Sequence, residues 1–218
     1  QTGRLAGLEL IEQAATQAAE HGTRDVFSAR DEADTQGRAF HRATEILDWF
    51  GRQNRNRRGP AELVAITDDR GVVISRSQDR TRMRGDDLKR QLTTMAGVLE
   101  TGRPALDVWT FESGQEKLLQ TAIVPIHDEA GTLIGTLVVA YDMSNGMASN
   151  AGALLGRDIG FIHGETVYSS SLEGDVVESL QGVLFGEQQA TTAAALGPEG
   201  AASEAWLARV GDVEYAAV

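Results

Sequence analysis

The chain has 218 residues, 41% of them hydrophobic, which is enough for one or two domains with apolar cores and too apolar for a disordered segment. Twenty basic residues against 32 acidic ones leave a net charge of -12, which excludes a basic nucleic-acid footprint spread over the surface. The absence of cysteine excludes disulfides and thiolate metal sites, and the longest apolar run, LIGTLVVAY, is far short of the roughly 20 residues that a membrane helix needs.

From Leu5 to Phe50 apolar residues return at intervals of three and four: Leu8, Ile11, Ala15, Ala18, Val26, Ala29, Ala33, Phe40, Ala43, Leu47 and Phe50. A single helix of about 45 residues would be roughly 70 Å long and would need an elongated partner to pack on. The alternative is two helices broken at His21-Gly22-Thr23, with Thr23 as an N-cap. The first reading predicts a parallel homodimer through the helix of residues 5 to 50.

After GRQNRNRRGP the texture changes to strands, predicted at Leu63 to Ile66, Val72 to Ser75, Val108 to Phe111, Lys117 to Ile126 and Thr132 to Tyr141. Asp69-Arg70-Gly71, Ser113-Gly114-Gln115 and Asp128 to Gly131 read as hairpin turns, because each contains a Gly that can take a positive φ. DDLKRQLTTMAGVLETG reads as one helix with Leu88, Leu92, Met95 and Leu99 on one face. The expected fold class is therefore α+β: a long N-terminal helix on a five-stranded antiparallel sheet. DIGFIHGETVYSSS, GDVVESLQGVLF and WLARVGDVEYAAV repeat parts of this order and predict a second, smaller sheet. Its first hairpin would be Phe161 to His163 and Val167 to Ser170, with Glu214 to Val218 in the same sheet and no counterpart of the last strand. The expected divisions are a helical segment at 1–57, a first module at 58–145 and an incomplete second module at 146–218.

No nucleophile elbow, phosphate-binding Gly loop or HExxH is present, and the four histidines are too far apart for a local metal motif, so neither an enzyme nor a metal or cofactor site is expected. Asp68-Asp69 suits a turn and Asp86-Asp87 a helix start. GTLIG reads as small residues at a place where another part of the chain approaches closely. Eleven of the 20 basic residues fall between Arg52 and Arg90. The group RQNRNRR suits a helix end. Arg80, Arg82 and Arg84, at alternate positions of the loop after the second strand, could present guanidinium forks to a carboxylate or phosphate, or simply be solvated. Asp107, Trp109 and Phe111 share one face of a strand, and Tyr141 shares a face with Val139 and Leu137. The candidate ligand-binding residues are Arg82 and Arg84 for an anionic group, Asp107 for an ammonium, Trp109 for an apolar wall unless it is core, and Tyr141 for a polar rim.

The long helix, LVAITDDRGVVISRS, the GDDL helix start, VLETGRPALDVWTF and LLQTAIVPIHDEAGTLIGTLVVAYDM together resemble the bacterial extracytoplasmic Cache sensor domain, a relative of PAS. LLGRDIGFIHGETVYSSSL resembles the start of the second module of a double-Cache region, as found in histidine kinases, chemoreceptors and nucleotide cyclases. The resemblance implies the periplasmic or cell-surface, ligand-sensing part of an inner-membrane receptor. Such a receptor is anchored by transmembrane helices and coupled to a cytoplasmic signalling domain, and its membrane-distal module binds a small molecule. The aromatic-and-Asp signature of the amino-acid-binding subgroup is not in register, so ligand identity does not carry over. The competing expectation is a ligand-free ectodomain that only dimerises.

Overall fold

The helical face that the spacing runs from Leu5 to Phe50 is interrupted in the structure, a computed structural model that describes residues 13–19, 23–28, 31–53, 61–112, 116–187, 206–210 and 213–217. Helix α1 covers 13–19, α2 is Arg24–Phe27 and α3 is Glu32–Gln53. Two side chains account for the breaks. Thr23 has helical φ/ψ and makes no capping bond to α2; its hydroxyl donates instead to the carbonyl of Ala19 at the end of α1. Asp31 starts α3: its Oδ1 accepts the Asp34 N–H at 2.8 Å, and Glu32 and Asp34 put negative charge at the positive end of the helix dipole. A single helix over residues 5 to 50 is therefore corrected to shorter pieces, with residues 1–12 outside the described ones. Along α3, Ala39, Ala43, Ile46 and Phe50 are buried, a stripe at the spacing of one helix face.

The sheet comprises β1 (Leu63–Asp68), β2 (Val73–Arg76), β3 (Ala105–Glu112), β4 (Glu116–His127) and β5 (Leu133–Asp142), all antiparallel, in the order β2-β1-β5-β4-β3. Two of its turns use one device. Oδ1 of Asp68 accepts the N–H groups of Arg70 and Val72, and Oδ1 of Asp128 accepts those of Ala130 and Thr132. Gly71 and Gly131 then follow at φ +81° and +82°, a conformation costly for any residue with a Cβ. The third expected turn, at Ser113 to Gln115, lies outside the described residues, as does the RNRR stretch.

Alternation along the strands makes two apolar faces. Phe50 of α3 meets Tyr141 edge-on at 5.9 Å, on the face that carries Val64, Ile66, Leu137 and Val139. The opposite face, with Leu63, Ala65, Trp109, Leu119, Ile123, Val138 and Ala140, packs on Leu88, Leu92, Met95 and Val98. Leu88 belongs to a 3-10 turn (Leu88–Arg90) and Met95 and Val98 to α4 (Met95–Thr101), with Leu92 in the segment between them, not the single helix expected. Asp87 caps the first by accepting the Lys89 N–H at 3.1 Å, as its place in GDDL suggests. Asp107 holds the start of the second by accepting the Thr94 N–H at 2.9 Å. In GTLIG, a Cβ on Gly135 would run into the Thr67 carbonyl and the Phe27 ring, so the close approach read from the sequence is present.

A first compact unit ends at Met143 and a second begins at Ser144. The second contains α5 (Asn145–Leu155), a hairpin of β6 (Gly160–His163) and β7 (Thr166–Ser170) at the expected place, α6 (Gly174–Gly182), a π-helical turn (Val183–Glu187), and a hairpin of β8 (Trp206–Val210) and β9 (Val213–Ala217). The two hairpins form separate two-stranded sheets among the described residues, where the sequence repeat predicts one. Val167 and Leu184 centre a small core with Ile162, Val177, Leu180 and Phe185 around them.

Candidate functional site

Chain direction at the end of β2 decides where the cations go. Arg76, the last residue of β2, pairs with Ala65, so its side chain lies on the face that carries Trp109. β2 and β3 are opposite edges of the sheet, about 19 Å apart at four strand spacings, yet the Arg76 guanidinium lies 5.9 Å from the ring centre of Phe111 on β3. The two side chains reach toward each other across the face. Arg82 approaches the same ring at 6.0 Å. Two guanidinium groups thus share one aromatic ring, a favourable contact for each and a like-charge repulsion between them.

Arg76 is buried, with 6% of its surface exposed. Its Nε donates to the Ser77 carbonyl at 3.1 Å and its Nη1 meets the Met83 sulfur at 3.8 Å. Among the described residues no carboxylate lies in ion-pair range of Arg76 or Arg82, and Nη2 of Arg76 has no acceptor. Burial, followed by the charge of Arg82, lowers the Arg76 pKa from its ordinary value, while Asp79 and Glu62 act in the opposite direction at longer range. A buried cation without a bonded anion is costly for stability. Beside it lies an open depression of about 500 Å³, lined by Arg82, Met83, Asp86, Gln91, Thr110 and Phe111.

Of the five candidates read from the sequence, Arg82 lines this depression and the structure places the other four elsewhere. Arg84 turns outward and pairs with Glu32 at the start of α3, Nη2 to Oε1 at 2.6 Å. Both oxygens of Asp107 are engaged, Oδ2 by the Thr94 N–H and hydroxyl and Oδ1 by the Val108 N–H at 2.8 Å. Trp109, 2% exposed, stands below Phe111 in the core, its ring 4.9 Å from that of Phe111. Tyr141 is on the other side of the sheet: Trp109 pairs with Leu119 and Leu119 with Asp142, so the neighbour of Asp142 faces α3. Arg76 and Phe111 are not among the five candidates, although Phe111 shares the strand face of Asp107 and Trp109 and Arg76 opens the arginine-rich loop. Their signal was a charged residue closing a strand, on the side that continues the apolar set of Leu63, Ala65 and Val73.

No family model and no curated protein matches the chain. Solved structures do. The periplasmic domain of LuxQ from Vibrio cholerae is similar over 81% of this chain and 77% of its own, with a TM-score of 0.54 and 13% identity. The fold is PAS-like. The E. coli DcuS sensor domain is similar over 69% of this chain and 96% of its own at 14% identity, with a TM-score of 0.42. An extracellular ligand binding receptor from Desulfohalobium retbaense matches at 18% identity and a TM-score of 0.41, over 64% of this chain, which spans only 26% of that receptor. The likeness to the LuxQ domain is one of fold, a helix-backed five-stranded sheet in this chain. No helix among the described residues is long and apolar enough to cross a membrane.

Proposed function

We propose that this chain is the extracytoplasmic, non-catalytic ligand-sensing region of a membrane receptor, and that its first module binds a small anionic or zwitterionic molecule over Phe111, between Arg76 and Arg82. The observation that carries the reading is the guanidinium pair: two cations on one ring, one of them buried, with no carboxylate in ion-pair range among the described residues. A carboxylate bridging them would accept charge-assisted hydrogen bonds and cancel the repulsion. Asp86, on the wall of the same depression, is placed to face an ammonium group of a zwitterion. Arg84, Asp107 and Trp109 support the site from outside it, and Tyr141 belongs to the packing of α3. In this reading residues 1–57 form the helical segment, 58–145 the sensing module and 146–218 a second module, and the helices relay the signal to a cytoplasmic domain.

A thermal-shift screen against organic acids, phosphorylated metabolites and amino acids tests it, since a ligand at 100 times its dissociation constant adds about 2.7 kcal/mol. A panel of this breadth with no stabiliser would favour the competing reading, an ectodomain that only dimerises. That reading has less apolar surface available than the sequence suggests, because Ala39, Ala43, Ile46 and Phe50 are buried within the protomer. A dimer through α3 would have to use another side, such as that of Trp49 and Arg52, which line a depression with Ala18 of α1. Sedimentation showing only monomer at high concentration would end it for the isolated chain.

A further inference from the structure

The loop that carries Arg82 over Phe111 also holds the start of α3, on the other side of the sheet. Gln36, buried on α3, donates through Nε2 to the Arg80 carbonyl at 3.3 Å, and the Ser75 hydroxyl donates to the same oxygen at 3.3 Å. The Arg80 side chain returns the contact, Nη2 to the Ala33 carbonyl at 3.3 Å, and Arg84 closes the set on Glu32 at 2.6 Å. Arg80 and Arg82 are two residues apart and serve opposite sides of the β2 edge. The segment between them is stiff: Oδ1 of Asp79 accepts the Thr81 N–H, the Thr81 hydroxyl and the Arg82 N–H, all at 3.0 to 3.1 Å. It is also strained, since Gln78 and Met83 stand at φ +71° and +67°, the left-handed region that residues other than Gly seldom occupy.

We propose that residues 77–87 are a latch coupling the charge state of the Arg76–Arg82 site to the first turns of α3. Its trigger rests on the functional reading given above; its mechanics do not. Without an anion, the repulsion between Arg76 and Arg82 limits how closely Arg82 approaches Arg76 over the ring. A bound carboxylate removes that repulsion and draws Arg82 toward Arg76. Because Asp79 ties Arg82 to Thr81, the segment moves as a unit and carries the Arg80 carbonyl and Arg84 with it, away from Gln36 and Glu32. The strain at Gln78 and Met83 keeps the two arrangements close in energy, the condition for a switch. Coupling of this kind is reciprocal, so loosening the α3 side must be felt at the groove.

Amide hydrogen exchange on the full 218-residue chain reads both directions without a ligand. Arg82→Glu puts a carboxylate beside Arg76 in place of the second cation; Arg82 is exposed, so the variant folds, and Arg82→Gln serves as the charge-neutral check. The latch predicts a change of about fivefold or more in exchange at residues 32–37, the low end of typical coupling, with residues 41–50 unchanged. Gln36→Ala combined with Arg84→Ala predicts a change of similar size at residues 78–84. Exchange that stays within about twofold of wild type in either direction overturns the latch. Acetate, benzoate and glycine, each at millimolar concentration, then separate the two claims. A stabilising ligand that leaves residues 32–37 unchanged removes the latch and keeps the site. Reciprocal exchange with none of the three stabilising the protein keeps the latch and removes these anions as its trigger.

Discussion

Replacing Arg76 by Met asks whether the buried guanidinium is there for stability. The variant loses the bond from Nε to the Ser77 carbonyl, about 1.5 kcal/mol for a charged donor, but that carbonyl keeps the Asp79 N–H at 2.9 Å and is not orphaned. It loses the cation–ring contact with Phe111, about 1 kcal/mol, and regains a large part of it because a thioether also packs well on an aromatic ring. Against these losses stands the desolvation of a buried charge, several kcal/mol for an ion with no carboxylate in ion-pair range among the described residues, together with the repulsion from Arg82. The balance favours the variant by about 1 kcal/mol, and melting temperature should rise by about 2–8 °C. Thermal and urea melts of both proteins measure it. A fall of about 10 °C or more would show that Arg76 is a strut of the fold and would refute the inference that it is held in reserve for an anion.

Gly135→Ala should destabilise the first unit by about 3 kcal/mol or more, because the new methyl meets the Thr67 backbone carbonyl as well as the movable Phe27 ring; a neutral result in urea unfolding would mean that β5 sits farther from β1 than described. Asp107→Ala removes the acceptor at the start of α4 and should cost about 1 kcal/mol, with faster amide exchange confined to residues 94–98; wild-type exchange there would return Asp107 to the candidate ligand contacts. The Asp79 carboxyl is held below its ordinary value of 3.8 by the N–H groups of Thr81 and Arg82 and the Thr81 hydroxyl. A lowered folded-state pKa means that its support of the loop is complete above the unfolded-state value and is lost as pH falls through the folded one. The amide resonances of Thr81 and Arg82 should therefore titrate together with a midpoint under 3.8, and a shared midpoint above it would remove Asp79 as the tie.

The sheet was legible because its strands and turns are encoded locally. Alternation marks the strands, and the Asp-x-x-Gly spacing of residues 68–71 and 128–131 marks turns whose side-chain bonds need no tertiary context. The long helix misled because a three-four apolar pattern continues across a break; the Asp31 cap, followed by Glu32 and Asp34, was the sign of a new start. The site was half legible. Arg80, Arg82 and Arg84 alternate in sequence, but a loop does not keep strand alternation, and the three go to Ala33, Phe111 and Glu32. Arg76 was hidden because a contact between opposite edges of a sheet depends on its curvature, which no local pattern reports. Trp109 and Tyr141 read as the wall and the polar rim of one pocket; the pairing of Leu119 with Asp142 puts them on opposite faces.

Calorimetric titration of the best stabiliser from the metabolite screen into wild type, Arg76→Met and Arg84→Ala tests the central claim most directly. If the guanidinium pair is a ligand site, Arg76→Met should lose about 2 kcal/mol or more of binding, roughly thirtyfold in affinity, because a buried charge-assisted bond is removed. Arg84→Ala, which removes an exposed pair with Glu32, should bind no more than about threefold more weakly than wild type. Equal affinity in wild type and Arg76→Met would contradict the account and move the site away from Phe111.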